Sequence, residues 1–305
     1  MYGAAIGDAL GSAFEFVASN TIARHLGRPI VSAYERALSG SLLHPRDPGR
    51  PTDDTAMAIC VAAVIASGNE LSAMTFAARF THDLRRGSGA IAQMFWTGGP
   101  GGATMRALGR LERGHAPVDC GAPSDGGNGA AMRAHPIGAL ASRDNVLGVA
   151  ALQARITHGH PAAIAAAQAV AVLVHDALHD VPASKDVPAG IVDPTFARAW
   201  HSAHAAVWTS VDLPTRLRDV DMSGWETVAA AHAITLGYQD PAEAIGRAAA
   251  SGADTDTIAS IVGAIVGARY GFDRLPKALV SDLVVDGTFA DCVEALARSD
   301  EQRLR

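Results

Sequence analysis

The chain reads as all-α. Apolar stretches long enough for helices recur along its 305 residues, period-two alternation of the strand kind is scarce, and alanine is the commonest apolar residue, which favours closely packed helices over a broad sheet. In order, the helical stretches are 2–18, 55–67, 71–86, 103–113, 129–142, 146–155, 161–179, 195–209, 225–236, 241–250, 257–270 and 288–298. Three dense runs of proline and glycine fit loops between them: residues 44–51, 97–102 and 181–188. In the 257–270 stretch, Gly263 and Gly267 stand four apart beside Ala264 and Ala268, a face that lets another helix backbone come close. That helix is expected at the centre. No repeat of fixed period and no shift of composition divides the chain, so residues 1–305 are expected to form one domain with the reactive residues on loops and first helical turns.

Hydrophobic residues make up 49% and charged residues 18%, with a mean hydropathy of +0.14, values of a globular protein. A net charge of −6 and the lack of a Lys/Arg stripe exclude the electrostatic footprint of an unmodified nucleic-acid backbone. Cys60, Cys120 and Cys292 are far apart, odd in number and form no CxxC pair, so neither a disulfide framework nor a zinc site follows. Buried free thiols in a reducing compartment are expected. The start, Met1-Tyr2-Gly3-Ala4-Ala5-Ile6-Gly7-Asp8, lacks a basic, apolar leader pattern, and no run reaches 18 consecutive apolar residues. The expectation is a cytoplasmic protein with no membrane partner.

Three acidic clusters stand out: Gly7-Asp8-Ala9-Leu10-Gly11 followed by Glu15, then Thr52-Asp53-Asp54-Thr55, then Gly252-Ala253-Asp254-Thr255-Asp256-Thr257. The second and third each open an apolar helical stretch. Helix capping is the plain reading, because Thr and Asp side chains accept hydrogen bonds from the free N–H groups of a first turn and acids there suit the helix dipole. Capping uses one or two such side chains. Four consecutive oxygen-bearing residues at 52–55, and four more at 254–257, exceed that need, and crowded carboxylates repel unless a cation or proton intervenes. Hard divalent cations take oxygen ligands, and the lack of Cys or His inside the clusters points away from zinc. Two converging clusters would serve two ions at the usual spacing of about 3.5–4 Å.

Further blocks lie between and after these clusters: Gly127-Asn128-Gly129-Ala130-Ala131-Met132-Arg133 with Pro136-Ile137-Gly138, then Thr157-His158, then Gly267-Ala268-Arg269-Tyr270-Gly271. Together, in order and over residues 3–271, the blocks resemble the ADP-ribosylglycohydrolase family. The resemblance implies an all-α orthogonal helical bundle with a central cleft for two Mg2+ or Mn2+ ions. It implies Thr52, Asp53 and Asp54 as ligands of one ion, and Asp254, Asp256 and Thr257 as ligands of the other, with Asp256 shared. Glu15, Asp54 and Asp256 become the catalytic candidates. Glu15 is the expected general acid/base, and the apolar flanks Phe14 and Phe16 argue against a solvated helix Glu.

Substrate binding is implied for Gly127, Asn128, Gly129 and His158. Glycine-flanked backbone N–H groups can cradle a pyrophosphate, although an ordinary Asn-Gly turn has the same sequence. His158 corresponds to a pocket histidine near the distal ribose, with a structural histidine as the alternative. One departure concerns the family's Asp-x-Gly-x-Thr stretch, where this chain reads Pro100-Gly101-Gly102-Ala103-Thr104. The implied reaction removes ADP-ribose from an acceptor by cleaving the bond at the anomeric carbon of the distal ribose. The implied partner is an ADP-ribosylated protein, a small molecule such as O-acetyl-ADP-ribose, or a modified nucleic acid. Two other readings stay open: an inactive ADP-ribose-binding or structural relative, opposed by the intact aspartates, and a two-metal phosphoester hydrolase, opposed by the absence of His from the clusters.

Overall fold

Helix signals in the sequence are strong and local, and they set the architecture of the computed structural model, which describes residues 1–38, 47–87, 89–140, 142–207 and 221–303. The helices are α1 (Tyr2–Gly11), α2 (Ser19–Leu26), α3 (Asp53–Ala66), α4 (Ala73–Phe80), α5 (Ala90–Gly98), α6 (Gly102–Glu112), α7 (Arg143–Arg155), α8 (Pro161–Leu178), α9 (Pro194–Val207), α10 (Gly224–Gly237), α11 (Pro241–Ala249), α12 (Thr255–Tyr270), α13 (Lys277–Ser281) and α14 (Gly287–Arg303). A π-helical turn, Thr81–Arg86, extends α4. Among the described residues no strand forms, and β pairing is confined to two isolated bridges, Ala122 with His158 and Gly127 with Ser223. The all-α expectation holds.

Capping explains several starts. The side chains of Thr52, Ser72, Ser223 and Asp240 accept hydrogen bonds from N–H groups in the first turns of α3, α4, α10 and α11. Proline occupies the first turn of α8 and α11, where its missing N–H costs nothing. By length and composition α8 could cross a membrane, but two thirds of it is buried within the fold, as in a core helix.

The centre is α12, packed against α1, α8, α10 and α11 and buried from Thr255 through Val266. Its contact with α1 is backbone to backbone. A methyl group added at Gly3 would sit 2.1 Å from the Gly263 carbonyl oxygen, and one at Gly263 only 1.9 Å from that of Gly3. The same closeness recurs at Gly7, 2.0 Å from the Ala259 carbonyl oxygen, and at Gly11, 2.3 Å from that of Thr255. Small residues at both surfaces are what let the two helices meet, as the Gly263 and Gly267 spacing predicts.

Three boundaries differ from the sequence reading. The 129–142 stretch is not an α-helix but two 3-10 turns, Asn128–Ala130 and His135–Ala139. Side chains take its carbonyl groups, that of Gly129 by Arg133 and that of Ala130 by Gln153, and Pro136 has no N–H to extend a ladder. The 2–18 stretch stops being helical after Gly11, whose carbonyl is taken by the Phe14 N–H and the Thr255 hydroxyl, and residue 16 then turns left-handed to bond across to the loop before α12. Helices α2, α5 and α13 are additional, and the end of α5 takes in Thr97 and Gly98 of the expected 97–102 loop. Residues 44–46 and 208–209 of the predicted segments lie outside the described residues.

Candidate active site

Asp8 explains why the first acidic cluster and the second meet. Its fully buried carboxylate accepts hydrogen bonds from the Thr52 N–H (2.9 and 3.0 Å), the Thr55 N–H (3.1 Å) and the Thr55 hydroxyl (2.6 Å). A negative charge on free N–H groups of a first turn is favoured twice, by the bonds and by the helix dipole. Thr52 in turn caps Asp54. The first turn of α3 is thus locked to α1, with Asp53 and Asp54 projecting beyond it. Gly98 closes the arrangement from the side: a methyl there would lie 2.2 Å from the Asp53 nitrogen.

The third cluster is brought in by two strained residues. Phe16 (φ 60°) and Ala253 (φ 59°) are both left-handed without being glycine, which costs on the order of 1–3 kcal/mol each. They bond to one another, the Phe16 N–H donating to the Ala253 carbonyl at 2.8 Å. The Thr255 hydroxyl adds a second tie, to the Gly11 carbonyl at 2.8 Å. Glu15 and Asp254, the neighbours of the strained pair, are thereby brought together: one ligand oxygen each from Glu15, Asp254 and Asp256 lies within 4.8 Å of the others. Among the described residues this is the one group of three or more His, Cys, Asp or Glu placed to share a metal ion.

These groups surround a cavity of about 150 Å3. Two sets of residues line it: Glu15, Asp53, Asp54, Asp254, Asp256 and Thr257, and Gly127, Asn128, Gly129 and His158. Asn128 joins the two sets, donating from Nδ2 to Asp254 Oδ2 at 2.8 Å and to Thr227 Oγ1 at 3.3 Å. Of the sequence candidates only Thr52 is not part of the lining; its hydroxyl oxygen accepts from the Asp54 N–H and keeps a second lone pair for a cation. Glu15, expected as a proton carrier, also belongs to the carboxylate trio. Sequence reasoning gave no role to Asp8, whose place beside a glycine-rich helix was the available signal. It also missed Gly99, Met132 and Met222 of the lining. A larger cleft of about 850 Å3 lies under residues 180–189, between Asp176, Lys185, His232 and Arg269. It shares no residue with the acidic cavity, and chemistry rather than size singles out the smaller one.

Burial pushes the Asp54 carboxyl well above the usual carboxylate range, helped by the charges of Asp8, Asp53 and Asp254, while the Thr257 hydroxyl pulls it the other way. Asp256 is pushed up likewise, by burial first and then by Glu15 and Asp254. Asp54 Oδ1 is buried and accepts no hydrogen bond. Native folds rarely leave such an atom without a partner. An all-oxygen donor set, mutual repulsion and an orphaned carboxylate oxygen fit a hard divalent cation, which would satisfy all three at once.

The family model for ADP-ribosylglycohydrolase matches residues 1–304. The ADP-ribosyl-(dinitrogen reductase) glycohydrolase of Rhodospirillum rubrum is 26% identical over 301 residues, covering 96% of this chain and 92% of that protein. The ADP-ribosylarginine hydrolase Tri1 of Serratia proteamaculans is 25% identical, covering 97% of this chain and 77% of its own length. The ADP-ribosylhydrolase ARH3 of Danio rerio is 26% identical, with 90% and 83% covered. A solved structure titled ADP-ribosylglycohydrolase-related protein complex superposes with a TM-score of 0.77 at 26% identity, over 98% of this chain and 95% of that one. Sequence family, relatives and three-dimensional architecture agree over nearly the whole length, and the chain belongs to the ADP-ribosylglycohydrolase family.

Proposed function

We propose that the acidic cavity is the active site of a metal-dependent hydrolase that frees ADP-ribose from an ADP-ribosylated acceptor, by cleaving the bond at the anomeric carbon of the distal ribose. The observation that carries this reading is the convergence of Asp53, Asp54, Asp254, Asp256, Thr257 and Glu15 on one cavity that Asn128 and His158 also line. The named activities of the relatives, all ADP-ribosyl hydrolases, support the same substrate class. The contiguous apolar core supports one domain over residues 1–305. Three buried free cysteines support a reducing, cytoplasmic setting.

Thr52, Asp53 and Asp54 would hold one Mg2+ or Mn2+ ion, and Asp254, Asp256 and Thr257 the other, with Glu15 at the edge of the second set. Such ions offset clustered carboxylates, orient a sugar diol and lower the pKa of water. At about 150 Å3 the cavity is smaller than the roughly 300–1,000 Å3 of pockets that take a whole ligand, so only the ribose end enters. The pyrophosphate lies along Gly127, Asn128 and Gly129, and binding energy from the remote adenosine orients the reacting bond. Asn128 fixes Asp254, and Glu15 takes a proton from the attacking water and returns it to the departing acceptor atom. The transition state has oxocarbenium character, as in glycoside chemistry generally. From residues 99–104 the cavity receives Gly99, Gly101, Gly102, Ala103 and Thr104, so this rim offers no carboxylate to a cationic acceptor such as arginine.

Calorimetry with ADP-ribose in Mg2+ and in EDTA tests the site, and turnover of arginine-, serine- and nucleobase-linked ADP-ribose and of O-acetyl-ADP-ribose tests the reaction. The expected result is metal-dependent binding with turnover of at least one substrate. Binding without turnover would make the protein a reader of ADP-ribose. No binding in either buffer would overturn the proposal in favour of a phosphoesterase or scaffold.

A further inference from the structure

The 127–133 block ends on Arg133, a fully buried guanidinium whose charge is met by no carboxylate among the described residues. Burial lowers its pKa to about 9, which leaves it a cation at neutral pH. Every one of its five N–H donors is used instead on a neutral acceptor. Nε reaches Gln153 Oε1 at 2.7 Å, one terminal nitrogen reaches the Gly129 carbonyl at 3.0 Å and the Met57 sulfur at 3.8 Å, and the other reaches the Gln153 carbonyl at 3.1 Å and Thr157 Oγ1 at 2.7 Å. The Phe80 ring covers one side, 4.8 Å from the guanidinium carbon. A side chain bound so completely has a single available position.

That position decides the state of His158. A guanidinium only donates, so Thr157 Oγ1 is the acceptor in their bond and its own hydrogen has to go elsewhere. The hydroxyl is buried, and its other partner is His158 Nδ1 at 2.8 Å. Placing a hydrogen on Nδ1 would leave the Thr157 hydroxyl hydrogen without an acceptor in a dry interior. Nδ1 therefore accepts, and the neutral ring carries its hydrogen on Nε2. The Nε2 edge faces Gly127 and Gly129, where an added Cβ would lie 3.5 and 3.4 Å from that nitrogen, and His158 lines the cavity.

We propose that Arg133 and Thr157 are positioning residues that fix His158 as a neutral hydrogen-bond donor, its Nε2–H turned into the cavity to hold an acceptor oxygen of ADP-ribose. The assignment of ADP-ribose rests on the functional reading above; the tautomer does not. Arg133 sets two parts of the same wall, since it also clamps the Gly129 carbonyl beside the imidazole. A neutral donor works at any physiological pH. The charged groups facing the ring are Arg133, Asp125 and Arg106; burial and Arg133 hold its pKa down near 3, with Asp125 opposing.

The test is nitrogen-15 NMR of histidine-labelled protein, with the His158 signals assigned by their loss in His158→Gln. The wild type at pH 7 is expected to show the Nε2–H tautomer without ligand, unchanged between pH 5.5 and 8. Thr157→Ser keeps the hydroxyl and should keep the tautomer. Thr157→Val should mix the tautomers and weaken ADP-ribose binding about tenfold, with KM rising more than kcat falls. An Nδ1–H tautomer in the wild type, titration of His158 within that pH range, or a Thr157→Val protein with unchanged tautomer and affinity would overturn the proposal. The wild-type spectrum decides even if the valine variant fails to fold. A wild type that shows the Nε2–H tautomer yet binds no ADP-ribose would sink the functional reading alone.

Discussion

Asp54 shows how a single residue carries both the cost and the use of the site. Its carboxyl is buried, crowded by Asp8, Asp53 and Asp254, and one oxygen has no hydrogen-bond partner. In the metal-free protein its folded pKa lies above the unfolded value, so between the two the folded state binds the extra proton. The contribution of Asp54 to stability is then highest at acid pH and falls as pH rises through the raised pKa, while buried His135, His158 and His232, held down near 3, contribute the opposite slope. Asp54→Asn keeps the shape and removes the charge. It should stabilise the EDTA-treated protein at pH 8 by at least about 1 kcal/mol, with a gain over the wild type that grows as pH rises, both read from urea denaturation. The same substitution should abolish turnover. A gain over the wild type that does not grow with pH would show that the Asp54 carboxylate is not crowded as described. Asp256, raised by burial and then by Glu15, Asp254 and Asp54, should behave alike.

At the scale of elements, glycine and aspartate positions act through what they touch rather than through propensity. In the α1–α12 contact, Gly263→Ala puts a methyl 1.9 Å from a backbone oxygen, and the helices have to separate. A loss of about 3 kcal/mol or more in urea denaturation is expected. Gly148, inside α7, has open space around it, and the same change there should gain up to about 1 kcal/mol from helix propensity. Asp8→Asn turns an acceptor of four bonds into a group with two donors facing donors; it should cost about 2–3 kcal/mol and weaken Mg2+ binding through the loosened first turn of α3. Helices whose signals are local were legible: apolar runs opened by Thr52 or Pro161 gave α3 and α8, and Gly263 with Gly267 gave the central packing. The acidic clusters were legible for the same reason, being contiguous. The two 3-10 turns in 128–139 were not, because their carbonyl partners, Arg133 and Gln153, act through side chains, and Gln153 is some twenty residues away. Glu15 joins Asp254 and Asp256 through a bond between two strained residues more than two hundred positions apart, which no local pattern encodes.

Taken as a whole, the molecule gathers charge of one sign where three remote segments meet: the turn after α1, the first turn of α3 and the start of α12. Their backbone ties, Phe16 to Ala253 and Thr255 to Gly11, hold the turn after α1 against α12, while Asp8 holds α3 against α1. Repulsion among Glu15, Asp54, Asp254 and Asp256 opposes all of them. A divalent cation would reverse that opposition and clip the three segments together, so its effect belongs to global stability and not to one loop. At a Mg2+ concentration a hundredfold above Kd the gain is about 2.7 kcal/mol, which for a chain of this size corresponds to a rise in Tm of roughly 5 °C. The expected outcome in scanning calorimetry is a Tm that climbs with Mg2+ or Mn2+, returns on adding EDTA, and becomes insensitive to either ion once Asp54 and Asp256 are both alanine. The doubly substituted protein separates two causes that activity alone would confound. If the aspartates served only as helix caps, removing them would lower Tm and leave whatever metal response existed intact; if they hold the ions, the metal-free protein loses little or gains, and the response vanishes.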